Sequence, residues 1–193
     1  MDPKKTRDWQ DTFQLRDGTW LHLRPITGLD DDKMQRLFGR LSQKTIYLRF
    51  MGVIRRMSSR QIERFTHLDF SNEMAIVATL PDPDEPEGER LVAVGRYVRQ
   101  DNPGRAEVAF TVEDAYQGQG LGSRLLEALI PFALAQGITT FTAEILVENT
   151  RMMEVLRKRG FRLTTNTSRG VVYVEFPIRD GNLPREESFE MSV

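Results

Sequence analysis

With 193 residues, 39% of them hydrophobic and 28% charged, the chain is long enough to bury a sizeable core and reads as one soluble domain. A formal charge of -1 argues against a surface built for nonspecific nucleic-acid binding, and the absence of cysteine removes disulfides, thiolate metal sites and an acyl-cysteine intermediate. Met1 to Arg7 carries basic residues with no apolar segment behind them, and no apolar stretch reaches about 18 residues, so a cytoplasmic protein with no membrane segment is expected.

Residues 1–10 are polar and expected to be loose, residues 11–178 to form the domain, and residues 179–193 to be a mobile tail from which Phe189 and Met191 could dock. Residues 12–15 and 19–25 flank Asp17-Gly18, a hairpin turn signal. In Trp20-Leu21-His22-Leu23-Arg24 the leucines share one face and His22 lies on the other, a surface strand position with no metal or triad partner nearby. Asp30-Asp31-Asp32 suits a helix start, and Met34, Leu37, Phe38 and Leu41 form the apolar stripe behind it. A second short helix starts near Ser42, and a third has Ser58 or Ser59 as its N-cap and ends near His67, whose ring is expected to meet free helix carbonyls. Between Lys44 and Arg64 lie six basic residues, Lys44, Arg49, Arg55, Arg56, Arg60 and Arg64, and a single acid, Glu63. That run is either a solvated face or an attraction for acidic acceptors or phosphates.

Residues 73–80 form a nearly continuous apolar strand, followed by Pro81-Asp82-Pro83-Asp84-Glu85-Pro86-Glu87-Gly88-Glu89, which has no core face and is expected to be a flexible loop. Residues 91–99 and 106–112 make a hairpin across Asn102-Pro103-Gly104. A helix follows the turn at 117–122, runs to about Gln136 and stops at Gly137; Pro131 inside it is expected to kink it near Glu127. Residues 139–147 are a strand, Asn149 caps a helix over 150–159, and residues 161–165 and 171–177 are the last strands. The order predicts an α+β fold with a mixed, mostly antiparallel sheet flanked by helices.

The stretch with chemical content is Gln117-Gly118-Gln119-Gly120-Leu121-Gly122, between a strand and a helix. First-turn N–H groups of a helix have no internal partner, and glycine lets an anion approach them. A hydrogen bond to a charged group contributes roughly 1.5–3 kcal/mol and the helix dipole about 0.3–1 kcal/mol, so backbone approach outweighs the dipole. A Walker A loop needs a Lys that is missing here, and a dinucleotide fingerprint needs a third Gly or Ala where this chain has Ser123 or Leu125. The spacing Gln117-x-x-Gly120-x-Gly122 resembles the acyl-CoA pyrophosphate loop of the GNAT N-acetyltransferase superfamily. Further upstream, Leu23-Arg24-Pro25-Ile26, Leu41-Ser42, Tyr47-Leu48-Arg49-Phe50 and Phe65-Thr66-His67-Leu68-Asp69 are similar to the bacterial Pat-type protein-lysine acetyltransferase domains, which modify acyl-CoA synthetases.

This resemblance implies a GNAT fold over about 15–178 and acetyl-CoA as acyl donor, with no metal. It implies Glu107, on the strand before the turn, as general base acting directly or through water; the alternative is a surface carboxylate paired across the hairpin with an Arg such as Arg96. Backbone groups of Phe110, Thr111 and Val112 would pair with pantetheine as an added strand, and Gln117, Gly118, Gln119, Gly120, Leu121, Gly122 and Ser123 would hold the pyrophosphate. Arg124 is either a phosphate contact or a helix-surface residue, and Asn149 a pantetheine contact, an N-cap or both. Leu156 stands where many relatives carry the tyrosine general acid, so the acid is unassigned among Tyr47, Tyr97, Tyr116 and Tyr173. The expected partners are acetyl-CoA and a protein lysine rather than a small amine, with no nucleic acid and no membrane; a non-catalytic acyl-CoA-sensing module is the alternative of another class.

Overall fold

The computed structural model describes residues 6–179; the expected tail and residues 1–5 lie outside this range except for Arg179. Eight strands form one sheet: β1 (Asp11–Gln14), β2 (Trp20–Pro25), β3 (Glu73–Pro81), β4 (Glu89–Arg99), β5 (Arg105–Val112), β6 (Thr140–Leu146), β7 (Thr164–Ser168) and β8 (Val171–Pro177). Their order is β1-β2-β3-β4-β5-β6-β8-β7, and every neighbouring pair is antiparallel except β5 and β6. Five α-helices that lie wholly within the described residues flank it: α1 (Asp31–Arg40), α2 (Gln43–Phe50), α3 (Ser59–Thr66), α4 (Leu121–Ala135) and α5 (Thr150–Lys158). The α+β class with a mixed, mostly antiparallel sheet is therefore the observed one.

Local sequence explains most of these boundaries. Gly18 closes the first hairpin at φ +91, Ser42 caps α2 by accepting from the Thr45 amide, and Ser58 with Gln61 makes a reciprocal capping box on α3. The β2 alternation holds, with Leu21 and Leu23 buried and His22 facing outward. On one face of the sheet lies α4, which is apolar nearly all round because it is buried between the strands and α5. It can approach β4 only because position 95 is glycine; a Cβ there would stand 2.9 Å from the Leu125 Cβ. The helix runs through Pro131, on its exposed side, without interruption and ends at Gln136, before Gly137 at φ +75.

On the opposite face, α1 lies on β4 and α2 on β5, with α3 packed against α1, whereas Thr142, Glu144, Tyr173 and Glu175 of β6 and β8 are exposed or half-buried there. That uneven cover gives the molecule its clefts.

Several details differ from the sequence expectation. The acidic loop is not free: Glu85 pairs with Arg36 (2.5 Å) and Arg40 (2.7 Å), and Glu87 also reaches Arg36, so ion pairs hold the loop on α1. The last hairpin begins at Thr164 rather than 161, because the Phe161 ring turns into the core against Phe176, 4.8 Å between centroids. His67 meets the Asp31 carboxylate (3.0 Å) instead of helix carbonyls, over Gly28, where a side chain would collide with the ring. Within residues 6–10, Trp9 packs edge-on against Phe132.

Candidate active site

The site begins where two parallel strands part. β5 pairs with β4 along residues 106–112 but with β6 only over Arg105, Ala106 and Glu107. β6 instead follows β8 along its whole length. On β5 the Arg105 carbonyl bonds Gln100, and just past the strand the Glu113 amide bonds Val92, so odd-numbered main-chain groups face β4. By strand alternation, Val108, Phe110 and Val112 present theirs to the gap, while those of Thr111 belong to the β4 ladder. The gap is open to an extended ligand that completes the hydrogen bonding of β5.

A short turn at Asp114–Tyr116 then leads to the glycines, with Gly118 at φ +76 and Gly120, the α4 N-cap, at φ +94. Both values lie in the left-handed region where side chains are strained. The amides of residues 118–123 find no acceptor among the described residues, and the first bond of the helix is Arg124 to the Gly120 carbonyl. Gly122 is required neither by its backbone angle nor by packing, since a Cβ there would touch only Val155, at 3.7 Å.

The turn is braced from below. The Gln117 amide donates to the Thr45 hydroxyl and the Val112 carbonyl, both at 3.0 Å, and its oxygen accepts from Arg151 at 2.6 Å. Asp114 accepts from the Ser42 amide and hydroxyl and the Thr45 hydroxyl. Partial burial alone would raise the Asp114 pKa, but these hydrogen bonds outweigh it and hold the carboxyl below its ordinary value. The start of α2 is thereby tied to the turn. Arg124 is held by Asp11 and by Glu127 (3.7 Å), which leaves it a structural helix residue; Asn149 caps α5 by accepting from the Met152 amide at 3.2 Å. Leu156 is fully buried.

Glu107 sits on the last row that β5 shares with β6, exposed, with Val98 opposite on β4 and Thr142 beside it on β6. It makes no hydrogen bond or ion pair among the described residues. The expected alternative partner, Arg96, faces Ala109 and bonds Glu73 instead (2.6 Å). Glu107 opens onto a polar cleft of about 280 Å³ on the uncovered face of β6, β7 and β8. Glu144, Glu175, Tyr173, Thr164 and Asn166 line it with Glu107; Glu175 is paired with Arg105 (2.7 Å), whereas Glu144 forms no ion pair among the described residues. Tyr173, 45% exposed, is the tyrosine that shares this cleft, while Tyr97 is buried against Phe141 and its phenol is pushed up to about 12 by burial.

On the other side of Glu107, under α2, a narrower cavity is lined by Arg49, Arg96, Phe50, Phe65, Ala109 and Thr111 among others. Burial and the neighbouring Arg96 push Arg49 down to about 10, with Glu107 acting the other way, and burial likewise lowers Arg96. The sequence offered Arg49 only as part of a basic run and of Tyr47-Leu48-Arg49-Phe50, Arg96 only as a cross-hairpin partner for Glu107 and Tyr173 only as one of four tyrosines; Glu144 carried no signal beyond its strand.

A sheet parted beside a turn of unpaired amides offers an extended ligand a free strand edge at one end and an anion-ready helix start at the other. Residues 45–161 match the family model "Acetyltransferase (GNAT) family", and the chain belongs to that family, whose acyl donor is acetyl-CoA. It is 33% identical over 168 residues to "Acetyltransferase Pat" of Mycolicibacterium smegmatis, covering 86% of this chain and 48% of that protein, so it spans about half the length of that relative. Identity to "Acetyltransferase PA5475" of Pseudomonas aeruginosa is 30% over 147 residues, 76% of this chain and 77% of the other. The crystal structure of the GNAT domain of S. lividans PAT superposes with a TM-score of 0.78 at 34% identity, over 88% of this chain and 97% of that one. No helix of the described residues is long and apolar enough to cross a membrane, and no described group of three or more His, Asp or Glu is placed to hold a metal ion.

Proposed function

We propose that the protein transfers acetyl from acetyl-CoA to lysine side chains of protein acceptors, with Glu107 as general base. The observation that carries this reading is the position of Glu107: an unpaired carboxylate at the point where β5 and β6 separate, facing a cleft open enough for a side chain presented by a large partner. The likeness to Pat proteins supports a protein acceptor, and an acid-rich cleft suits a cationic lysine.

Pantetheine would lie along the free edge of β5, bonded to main-chain groups of Phe110 and Val112, with the side chain of Thr111 lining the acceptor side. The pyrophosphate would take the amides of Gly118, Gln119, Gly120, Leu121, Gly122 and Ser123, oriented by the braced Gln117; the absence of a Cβ at Gly122 clears the approach. Asn149 would reach pantetheine while keeping its cap. Lysine's reference pKa of about 10.4 leaves roughly 4–5 kcal/mol to supply before the neutral amine can attack at pH 7. Glu107 takes the proton, directly or through water, as the nitrogen bonds to the thioester carbonyl carbon. A main-chain N–H of β5 holds the developing oxyanion, and the C–S bond breaks as the carbonyl re-forms. The thiolate, a tolerable leaving group, collects its proton from the product nitrogen by way of Glu107 or solvent, so the leucine at 156 is no obstacle.

The test is incubation with isotopically labelled acetyl-CoA and a cell extract, reading label on proteins and small molecules separately, together with Glu107→Gln. Label on protein lysines, lost in the variant while acetyl-CoA binding is retained, is the expected result. Label confined to small amines would replace the acceptor, and unchanged turnover in the variant would remove Glu107 from the mechanism.

A further inference from the structure

We propose that Arg49 and Arg96 form a carboxylate-binding subsite beside Glu107, so that the preferred acceptor carries an acidic group close to the amine it offers. The inference rests on the reading of Glu107 as the base that receives the amine.

The two guanidiniums contrast with those of Arg24 and Arg40. Arg24 is matched by Asp30 (2.7 Å) and Glu89 (2.8 Å), and Arg40 by Glu85 (2.7 Å) and Glu113 (3.1 Å). Arg96, only 8% exposed, spends Nη2 on Glu73 but leaves a buried Nη1 with no partner. Arg49 donates to no acceptor among the described residues; its guanidinium lies 5.0 Å from the Phe50 ring, as that of Arg96 lies 4.7 Å from the Phe65 ring. Stacking on aromatic faces fixes the two planes and leaves their N–H edges free. A buried donor without an acceptor, such as Arg96 Nη1, is costly, and two neighbouring cations repel each other. Burial and mutual repulsion disfavour the charged state of Arg49, and an anion between the pair would relieve it.

The space fits that role. Both side chains line a cavity whose free volume is about 30 Å³, roughly two water-sized groups and so about the room a pair of carboxylate oxygens needs. Ala109 on its wall lies two residues beyond Glu107 on the same strand face, roughly 7 Å along β5. Glu107 is within electrostatic reach of both arginines but hydrogen-bonded to neither, and it faces the open cleft instead. The acceptor site therefore has a largely apolar half under α2 and α3, whose charged lining is Arg49 and Arg96, and an acid-rich half over β6 and β8, where Arg105 is taken up by Glu175. An amine over Glu107 with a carboxylate over Ala109 matches that polarity.

That carboxylate can be an Asp or Glu beside the acceptor lysine or the α-carboxylate of a free amino acid. Two pairs of probes separate these sources: a capped peptide with Asp next to Lys against the same peptide with Asn, and lysine against lysinamide. Binding of each is measured by calorimetry in the presence of CoA, and acetylation is measured separately with acetyl-CoA. The acid member of at least one pair is expected to bind tenfold or more tightly than its amide, since bidentate charge-assisted bonds are at stake. Arg49→Gln should reduce that preference to less than threefold with CoA affinity unchanged, and Arg49→Lys should retain only part of it. Arg49 makes no hydrogen bond that the fold depends on, so the variant should fold.

Equal binding of acid and amide in both pairs, no binding of any probe at millimolar concentration, or a preference that survives Arg49→Gln would each overturn the subsite. Acid-selective binding without acetyl transfer would leave the subsite standing and remove the lysine-acetylation reading. Transfer that ignores the carboxylate would do the reverse.

Discussion

Two acidic regions of the molecule behave in opposite ways. The loop between β3 and β4, together with the first residue of β4, is dense in acids, and ion pairs take up most of them: Asp82 with Arg90 (3.6 Å), Glu85 with Arg36 and Arg40, Glu87 with Arg36, and Glu89 with Arg24. In the cleft beside β5, the acids come one each from β5, β6 and β8, and neither Glu107 nor Glu144 forms an ion pair among the described residues. The dense loop is a fastening, and the dispersed acids are the ones free to meet a substrate. Unpaired charge at a mouth, rather than acid content, marks the site.

The largest effect expected from this contrast is on turnover. Glu107→Gln should lower kcat by about 10²–10⁴-fold, the usual worth of a positioned base, while Glu85→Gln leaves kcat unchanged in the same thiol-release assay. A comparable loss in both would erase the distinction. Stability should respond the other way round. Glu85→Ala, which takes one partner from each of Arg36 and Arg40 and leaves them Glu87 and Glu113, is expected to cost about 1–2 kcal/mol in urea denaturation, and Glu107→Ala close to nothing.

A smaller change is expected at the turn, where Gly120→Val places a β-branched residue at φ +94. Acetyl-CoA Kd should rise about tenfold, from distorting the amides that hold the pyrophosphate, as read by calorimetry. Acid titration tests the loop further. Burial alone would raise the Glu89 pKa, but hydrogen bonds from Arg24 and Thr79 outweigh it and hold the carboxyl below 4.5. A depressed folded pKa means its contribution is complete above the unfolded value and disappears as pH falls through the folded one. Wild type should therefore be more stable than Glu89→Gln at pH 7, and the two stability curves should converge as pH falls through the lowered Glu89 pKa. Least of all, Glu144→Gln should raise KM for a lysine peptide about threefold with kcat preserved, because an exposed charge acts mainly by attraction.

Much of this was legible in the residues. Gln117 to Gly122 between a period-2 and a helical pattern located the turn, Ser42, Ser58 and Asn149 located caps, and alternation in β2 put His22 outside. These are local effects, decided by φ angles, by orphan N–H groups and by the face on which each side chain falls. The loop at 82–88 misled because its partners, Arg36 and Arg40, are 45 to 51 residues away in the chain. His67 misled for the same reason, since Asp31 reaches it across the α1–α3 packing.

The sequence by itself determined the class of fold, the family, the anion-ready turn and the strand that carries Glu107, because each depends on residues close together in the chain. Only the tertiary structure decided that β5 leaves β6 after Glu107, that Arg96 turns to Glu73, and that Arg49 from a helix and Arg96 from a strand share one cavity. Those outcomes depend on which strand β6 follows and on where α2 lands, set by packing between elements far apart in sequence, and no spacing within a single element encodes them.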